Sequence, residues 1–440
     1  MTSDLTSQTV AKTPRLTPGS RIAVVGAGIS GLSAAWLLGQ DYKVTLFEAQ
    51  SYFGGHSNTV DVTLDGVTAP VDTGFLVHND LTYPNLIELF RHFKVPVHES
   101  DMSFGVSVAK PDLEWAGTNL ATVFAQPANV IRPAFWGMLR DIMRFNGQAQ
   151  RYLDQALVNP VSLGDLLDRE GYGTPMRDWY LLPMAAAIWS SSIKDILQFS
   201  ASSFLAFCLN HRLLQIENRP KWRTVLGGSR VYVQAMLKQM TDVRLGLGVQ
   251  RISRSAAGVS VFSGRGEEVF DAVVMACHAP ESLALLEVHP AERAVLECFK
   301  YQPNAAVLHT DRALLPRRKK VWSAWNYLSQ PGEGIDRPVA VSYLINLLQP
   351  LPFKQPVVVT LNPFEPPAAD KIIAQFDYDH PVLDQTAVAA QGQLPAIQGL
   401  DRVWFCGAWA GYGFHEDGLK SALRVVRDFG VQPPWEPVYE

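Results

Sequence analysis

The stretch Ile22–Leu38, "IAVVGAGISGLSAAWLL", decides the fold. Its glycines fall as Gly26-x-Gly28-x-x-Gly31, after the apolar run Ile22–Val25 and before an apolar segment of helical length. A strand, a tight glycine turn and a helix in that order form a dinucleotide-binding fingerprint. Gly26 permits the turn, Gly28 lets backbone approach a pyrophosphate, and Gly31 lets the helix pack on the strand. The helix would begin at the phosphates, with Ile29 and Ser30 in its first turn. There the unpaired N–H groups and the positive end of the dipole face the anion. A glycine turn without a ligand is the plainer alternative for such a motif taken alone.

The next strand narrows the choice of ligand. "KVTLFEA" ends in Glu48 and Ala49, and Glu48 stands twenty residues past Gly28, where an acid would hold ribose hydroxyls. A carboxylate there also repels a 2′-phosphate, which argues against NADP. A second glycine pair follows in "GGHSNT", Gly54 and Gly55 leading into His56, Ser57, Asn58 and Thr59. NAD dehydrogenases have no need of it. Flavoproteins of the glutathione-reductase and amine-oxidase type carry one, usually as GG-Arg-x-x-Thr. The sequence therefore points to FAD, with NAD as the second choice. After the pair, "APVDTGFLVHN" reads as an extended strand ending in Asp72, Thr73, Gly74 and Phe75, whose glycine could bring backbone up to a flat ring.

Composition suits a large two-domain enzyme. The chain has 440 residues, 47% of them hydrophobic, enough for two substantial cores. A net charge of −4 argues against a nucleic-acid partner. The four cysteines, Cys208, Cys277, Cys298 and Cys406, lie far apart without metal-ligand spacing and read as reduced core residues of a cytoplasmic protein. Residues 1–19, rich in Thr, Ser and Pro, read as a flexible leader and lack the apolar core of a signal peptide. No apolar run approaches the roughly 18 residues a membrane span needs.

The layout predicts that residues 20–80, 220–290 and 392–440 form the FAD domain, and 81–219 and 291–391 the substrate domain. Leu86, Leu89, Phe90 and Phe93 make a helical stripe, and "LLPMAAAIW" reads as a buried helix with Trp179, Tyr180 and Trp189 in the core. "WRTVLGGSRVYVQAMLKQM" is a glycine turn into a helix, with Ser229 as N-cap. The β-rich runs of 291–391 suit a sheet flooring a substrate site. The basic run "RRKK", Arg317–Lys320, is a solvated loop or a contact with a lipid surface. In "DRVWFCGAWAGYGFHEDGLKSAL" a strand reaches Gly407 and Ala408, and a helix starting near Gly418 and Leu419 would point a second N-terminus at the cofactor.

This layout resembles the flavin amine oxidase and phytoene desaturase superfamily, over nearly the full chain from Arg21. It is most similar to bacterial FAD-binding proteins associated with cyclopropane-fatty-acid-synthase-like lipid methyltransferases, through phrases such as "FLVHNDLTYPNL" and "DWYLLPMAAAIWSS". The resemblance implies an α/β two-domain flavoprotein, a Rossmann-like FAD domain with a mixed α+β substrate domain. It implies that the backbone of Val249 meets the adenine, and that His415 takes the place of an aromatic-cage tyrosine over the flavin. There an imidazole could accept a proton as hydride leaves the substrate. The motif arginine is His56 here, which replaces a fixed charge with a titratable one. The lysine that amine oxidases place on a substrate-domain strand is missing from "NAAVLHTD", and Lys300 lies several residues too early. Three readings follow. The first is an oxidoreductase acting on a small hydrophobic substrate, a fatty acyl or other lipid chain, in the manner of a desaturase and with possible peripheral membrane contact. The others are an amine oxidase and a lipid-binding protein without catalysis.

Overall fold

The computed structural model describes residues 12–13, 15–189, 193–215, 220–330 and 339–439. They fall into two compact units: the described residues of Met1–Gly55, Val233–Phe299 and Ala390–Glu440, and those of His56–Tyr232 and Lys300–Ala389. Residues 56–80 and 220–232, expected in the nucleotide domain, belong to the second unit, and 291–299 belong to the first. The reason is pairing. Thr59–Leu64 and Val67–Asp72 form a hairpin across Asp65 and Gly66, both at positive φ, the Asp-Gly turn that suits the twist of two antiparallel strands. The inward residues of that hairpin, Val62, Ala69 and Val71, join the core of the second unit.

The first unit holds a parallel sheet ordered Asp242–Arg244, Lys43–Phe47, Arg21–Val25, Ala272–Met275 and Val403–Phe405. Its central strand is buried from Ile22 to Val25, as a sheet covered on both faces requires. The helices Ile29–Leu38 and His415–Asp428 pack on each other, and an antiparallel meander covers Val249–Phe270. The segment expected as a flexible leader is held in part. The Thr13 N–H and hydroxyl both donate to the Gly399 carbonyl at 2.8 Å, and residues 1–11 lie outside the described set.

The second unit is built on a mixed sheet ordered Ile372–Val382, Lys300–His309, Val358–Leu361, Val339–Leu344, Trp325–Ser329, Phe104–Val108 and Leu113–Ala116. The last two strands lie between the helical stripe Leu86–Phe93 and the buried helix expected in "LLPMAAAIW". Around them stand the helices Pro84–His92, whose buried residues include Leu86, Leu89 and Phe90, and Leu182–Trp189, buried nearly all round as expected. Trp179 and Trp189 are core residues, the latter packed among Phe199, Phe204 and Phe207. Among the described residues no helix is long and apolar enough to cross a membrane, and no cluster could hold a metal ion.

Candidate cofactor site

In the first unit the glycine turn is held from three sides. The Gly26 N–H donates to the Phe47 carbonyl at 2.9 Å, and the Ala27 N–H to Oε2 of Glu48 at 2.8 Å. The Gly54 N–H donates back to the Ala27 carbonyl at 2.9 Å. Gly26 takes φ +99°, and a Cβ on it would meet the Ala276 carbonyl oxygen at 2.9 Å, so the turn needs glycine there. A Cβ on Gly31 would stand 1.8 Å from the Gly26 oxygen, the close helix–strand contact the motif provides for. Gly28 differs. Its φ of −71° suits any residue, and a Cβ on it would meet no protein atom within 4 Å. Nothing in the chain asks for glycine at 28, which leaves open space at the helix start where backbone could approach a pyrophosphate. Gly55, at φ +57°, brings its backbone against Gly28, with a Cβ there only 3.2 Å from the Gly28 Cα.

Glu48 is buried and accepts from Ala27 N through Oε2 and from Gln50 N through Oε1, each at 2.8 Å. Each oxygen keeps a lone pair for a ribose hydroxyl. The Leu247 N–H donates to the Glu48 carbonyl at 2.8 Å, and a Cβ on Gly248 would touch Ala49. Val249, which opens the meander, directly follows the residues that make these contacts with Glu48 and Ala49.

The closing segment departs from its sequence reading. Its helix starts at His415, three residues before Gly418, so His415 is the first helical residue instead of a loop residue ahead of the helix. The Asp417 carboxylate, at the third helical position, accepts from the Phe414 N–H at 3.0 Å and fixes that start. Desolvation pushes the Asp417 carboxyl up to about 6 against these backbone N–H bonds. Gly418 is glycine for packing, since its Cβ would lie 2.7 Å from Cγ2 of Ile29 and 2.9 Å from the Ser30 hydroxyl. Ser30 donates to the Gly418 carbonyl at 2.9 Å, joining the two helix starts. A Cβ on Gly407 would strike the Trp409 indole at 2.1 Å, Ala408 opens a single 3-10 turn, and Leu419 is fully buried.

The remaining candidates lie in the second unit. Gly74 serves the approach of two backbones, since a Cβ there would be 2.3 Å from the His56 carbonyl oxygen, which accepts from the Phe75 N–H at 2.7 Å. The Thr73 hydroxyl bonds Tyr378 Oη at 2.7 Å, and Ser57 bonds Tyr232 Oη at 2.5 Å. The His56 ring stacks on Tyr378 with centroids 4.9 Å apart and lies 5.1 Å from His380. Phe376, Tyr378 and His380 alternate on one face of the strand Ile372–Val382, and Asn304 bonds Nδ1 of His380 at 2.9 Å. Sequence reading passed over this array, although the i, i+2, i+4 spacing in "FDYDH" carried its signal.

Asp72, read only as a strand end, is the anchor of the second glycine turn. Its carboxylate accepts from the Ser229 N–H at 2.9 Å and hydroxyl at 2.8 Å, from Thr59 at 2.6 Å and from Gln349 Nε2 at 2.8 Å. Ser229 thus gives its hydroxyl to Asp72 instead of capping the helix that begins at Arg230. Gly228, at φ +83°, lets Thr59 close in. Burial pushes the Asp72 carboxyl up to about 6, with the Thr59, Ser229 and Gln349 bonds pulling the other way. A folded value above the unfolded one gives stability that is complete below about 4 and lost as pH rises through about 6. In urea melts between pH 4.5 and 7.5, the deficit of Asp72→Asn against the parent should be largest at the acid end and shrink with rising pH. A deficit independent of pH would show that Asp72 stays ionised when folded.

The basic run is partly spent. Arg317 pairs with Asp112, and Arg318 with the fully buried Glu114 at 2.8 Å, while Lys319 and Lys320 remain exposed. Lys300 is exposed and pairs with Asp384 at 3.3 Å.

A parallel sheet, a glycine turn at a helix start, a buried acid at the end of the next strand and a second glycine pair against the turn fit a dinucleotide-binding flavoprotein, and the open position at Gly28 fits FAD. The model of the flavin-containing amine oxidoreductase family matches residues 29–355, and the chain belongs to that family. A Mycobacterium tuberculosis protein that carries the name flavin-containing monoamine oxidase AofH is 26% identical over 291 residues, 63% of this chain and 58% of that one. The match therefore spans less than two thirds of that relative. Among solved structures, a fatty acid isomerase from P. acnes superposes with a TM-score of 0.65 at 14% identity, over 94% of this chain and all of the other. A putrescine oxidase bound to putrescine gives 0.66 at 15% identity, over 94% and 99%. Cyclohexylamine oxidase from Brevibacterium oxydans gives 0.61 at 16%, over 94% and 100%. At these identities the likeness is one of fold, the two-domain α/β flavoprotein.

Proposed function

We propose that the protein is a FAD-dependent oxidoreductase that takes hydride from a C–H bond of a hydrophobic substrate, a fatty acyl or other lipid chain. The observation that carries this reading is the strand Lys300–His309. Its lysine stands at the exposed end, paired with Asp384, and the residues facing the core are Ala306 and Leu308. A strand so furnished has no ammonium to hold a water for amine oxidation. Partly buried Phe104, Trp222, Trp325 and Phe376 pack on the same core and offer apolar surface for a chain. A fatty acid isomerase is among the proteins that share the fold.

Bound FAD supplies a two-electron acceptor. The start of the helix His415–Asp428 directs N–H groups and a positive dipole end outward, an environment that favours added negative charge. We assign His415, half-buried at that start, as the base that takes the substrate proton while hydride leaves. The test is anaerobic absorbance of the FAD-loaded protein mixed with acyl lipids and, separately, with primary amines. Bleaching by an acyl lipid and not by amines is expected. Bleaching by amines alone would favour amine oxidation, the reading suggested by the relative named for monoamine oxidase. Tight lipid binding without any bleaching would favour a carrier. With the reducing substrate in hand, His415→Phe should slow flavin reduction about 100-fold, the lower range for a general base, and flatten its pH dependence. An unchanged rate and profile would make His415 a wall residue.

A further inference from the structure

The second unit carries an apolar surface that neither the core nor the cofactor site explains. Between residues 115 and 140 the chain has two arginines, Arg132 and Arg140, and no acid. This segment also holds the two most exposed large apolar side chains of the described residues, Ile131 at 83% and Leu120 at 78%, together with Trp136 at 50%. Val130 joins them at 50%. They are held in place by structure. The short helix Leu120–Val123 is capped by Asn119, which accepts from the Thr122 N–H at 3.1 Å. The turn Pro127–Ile131 is pinned beneath by buried Gln126 and Asn129, which bond the backbone of Glu114 at 2.7 and 3.1 Å. Trp136, at the start of the long helix Pro133–Val158, donates its indole N–H to the Val130 carbonyl at 2.8 Å and leans on Phe124. The apolar groups therefore point outward from a fixed frame, where solvent exposure costs free energy unless something covers them.

The charge around the patch says what kind of cover it fits. Arg132 donates to the Asp112 carbonyl at 3.0 Å and Arg317 pairs with the Asp112 carboxylate, so the basic run Arg317–Lys320 lies beside the patch. Residues 110–144 and 317–320 together carry eight basic and three acidic side chains, in a chain whose net charge is −4. Apolar side chains with a tryptophan, ringed by arginine and lysine, are the make-up of a surface that lies in a bilayer interface. The apolar groups enter the acyl boundary and the cations meet anionic headgroups. We infer that the surface formed by Leu120, Val130, Ile131 and Trp136, with Arg140, Lys319 and Lys320 at its rim, docks the protein on an anionic lipid bilayer. This inference stands apart from the identity of the substrate, and its test does not involve turnover.

The experiment is flotation of the full FAD-loaded chain with vesicles of phosphatidylcholine alone or with about a third phosphatidylglycerol, at low and high salt, a composition chosen for the surface-charge effect it isolates. The parent should float with the anionic vesicles, less so at high salt. The double variant Ile131→Asp, Trp136→Ser should lose at least tenfold in binding while staying folded, with its melting temperature lowered only by the loss of the exposed Trp136–Val130 hydrogen bond and the contact with Phe124. The double variant Lys319→Glu, Lys320→Glu should lose the preference for anionic lipid. A parent that stays unbound with both vesicle types at low salt would overturn the inference, as would unchanged binding in Ile131→Asp, Trp136→Ser. A parent dimer that this variant splits, with no vesicle binding, would also overturn it and identify a second copy as the cover.

Discussion

Gly28→Ala should fold as stably as the parent chain and lose FAD, whereas Gly31→Ala should fail to fold stably. The two positions lie three residues apart in one motif and differ in what surrounds them. At Gly31 an added methyl would stand 1.8 Å from the Gly26 oxygen and 3.1 Å from the Ala276 Cβ, so the helix must leave the sheet. Overpacking of that kind costs about 3 kcal/mol or more, a large part of the roughly 5–15 kcal/mol that holds a domain together. At Gly28 the methyl would meet no protein atom within 4 Å, and φ of −71° imposes no strain. Its cost falls on the ligand. A methyl standing where backbone must reach the pyrophosphate should weaken FAD binding about 100-fold, equivalent to about 2.7 kcal/mol. Thermal melts of the FAD-free proteins and titration of FAD by fluorescence quenching separate the two effects. A Gly28→Ala protein that melts as early as Gly31→Ala, or one that binds FAD like the parent, would remove the phosphate role from this turn.

What the sequence made legible was local. The fingerprint fits within ten residues, and the acid Glu48 comes directly after the following strand. The parts that escaped depend on partners far along the chain. Gly418 packs on Ile29 and Ser30, nearly four hundred residues away, a contact that nothing near it in the chain announces. The start of the same helix could have been placed, since Glu416 and Asp417 put acids in its first turn, the usual mark of an N-terminus.

The second unit was less legible for the same reason. Phe104–Val108 and Leu113–Ala116 are short, and the first of them pairs in parallel with Trp325–Ser329, more than two hundred residues later. The Asp72 anchor joins side chains from three separate stretches, of which the sequence had shown Thr59, Asp72 and Ser229 in other roles and Gln349 in none. His56 was read as a substitute charge for a missing arginine. Its ring is stacked on Tyr378 and lies tilted beside His380 within the second unit, an arrangement that nothing near residue 56 in the chain could announce.

Glu48 unites the legible and the hidden, and its removal should cost the protein twice. The acid was singled out for ribose hydroxyls, yet in the folded chain its two oxygens also accept the N–H groups of Ala27 and Gln50 at 2.8 Å. Glu48→Ala leaves the buried Ala27 N–H without an acceptor, at about 1–3 kcal/mol, and frees the part-buried Gln50 N–H, before any ligand is considered. It also removes the charged acceptor for the ribose, a further loss of about 1.5–3 kcal/mol and so roughly tenfold to 100-fold in FAD affinity. Because the Ala27 carbonyl receives the Gly54 N–H, loosening Ala27 releases the second glycine pair as well, which places the affinity loss at the upper end of that range. Glu48→Gln keeps the shape and one acceptor oxygen but turns an amide N–H toward Ala27 or Gln50. Its FAD-free stability should fall between those of the parent and Glu48→Ala. Urea denaturation of the FAD-free proteins gives the order parent, Gln, Ala, and FAD titration gives the same order. If Glu48→Ala matched the parent in stability, the turn would not hang on this carboxylate; if it matched the parent in FAD affinity, the ribose would be held elsewhere.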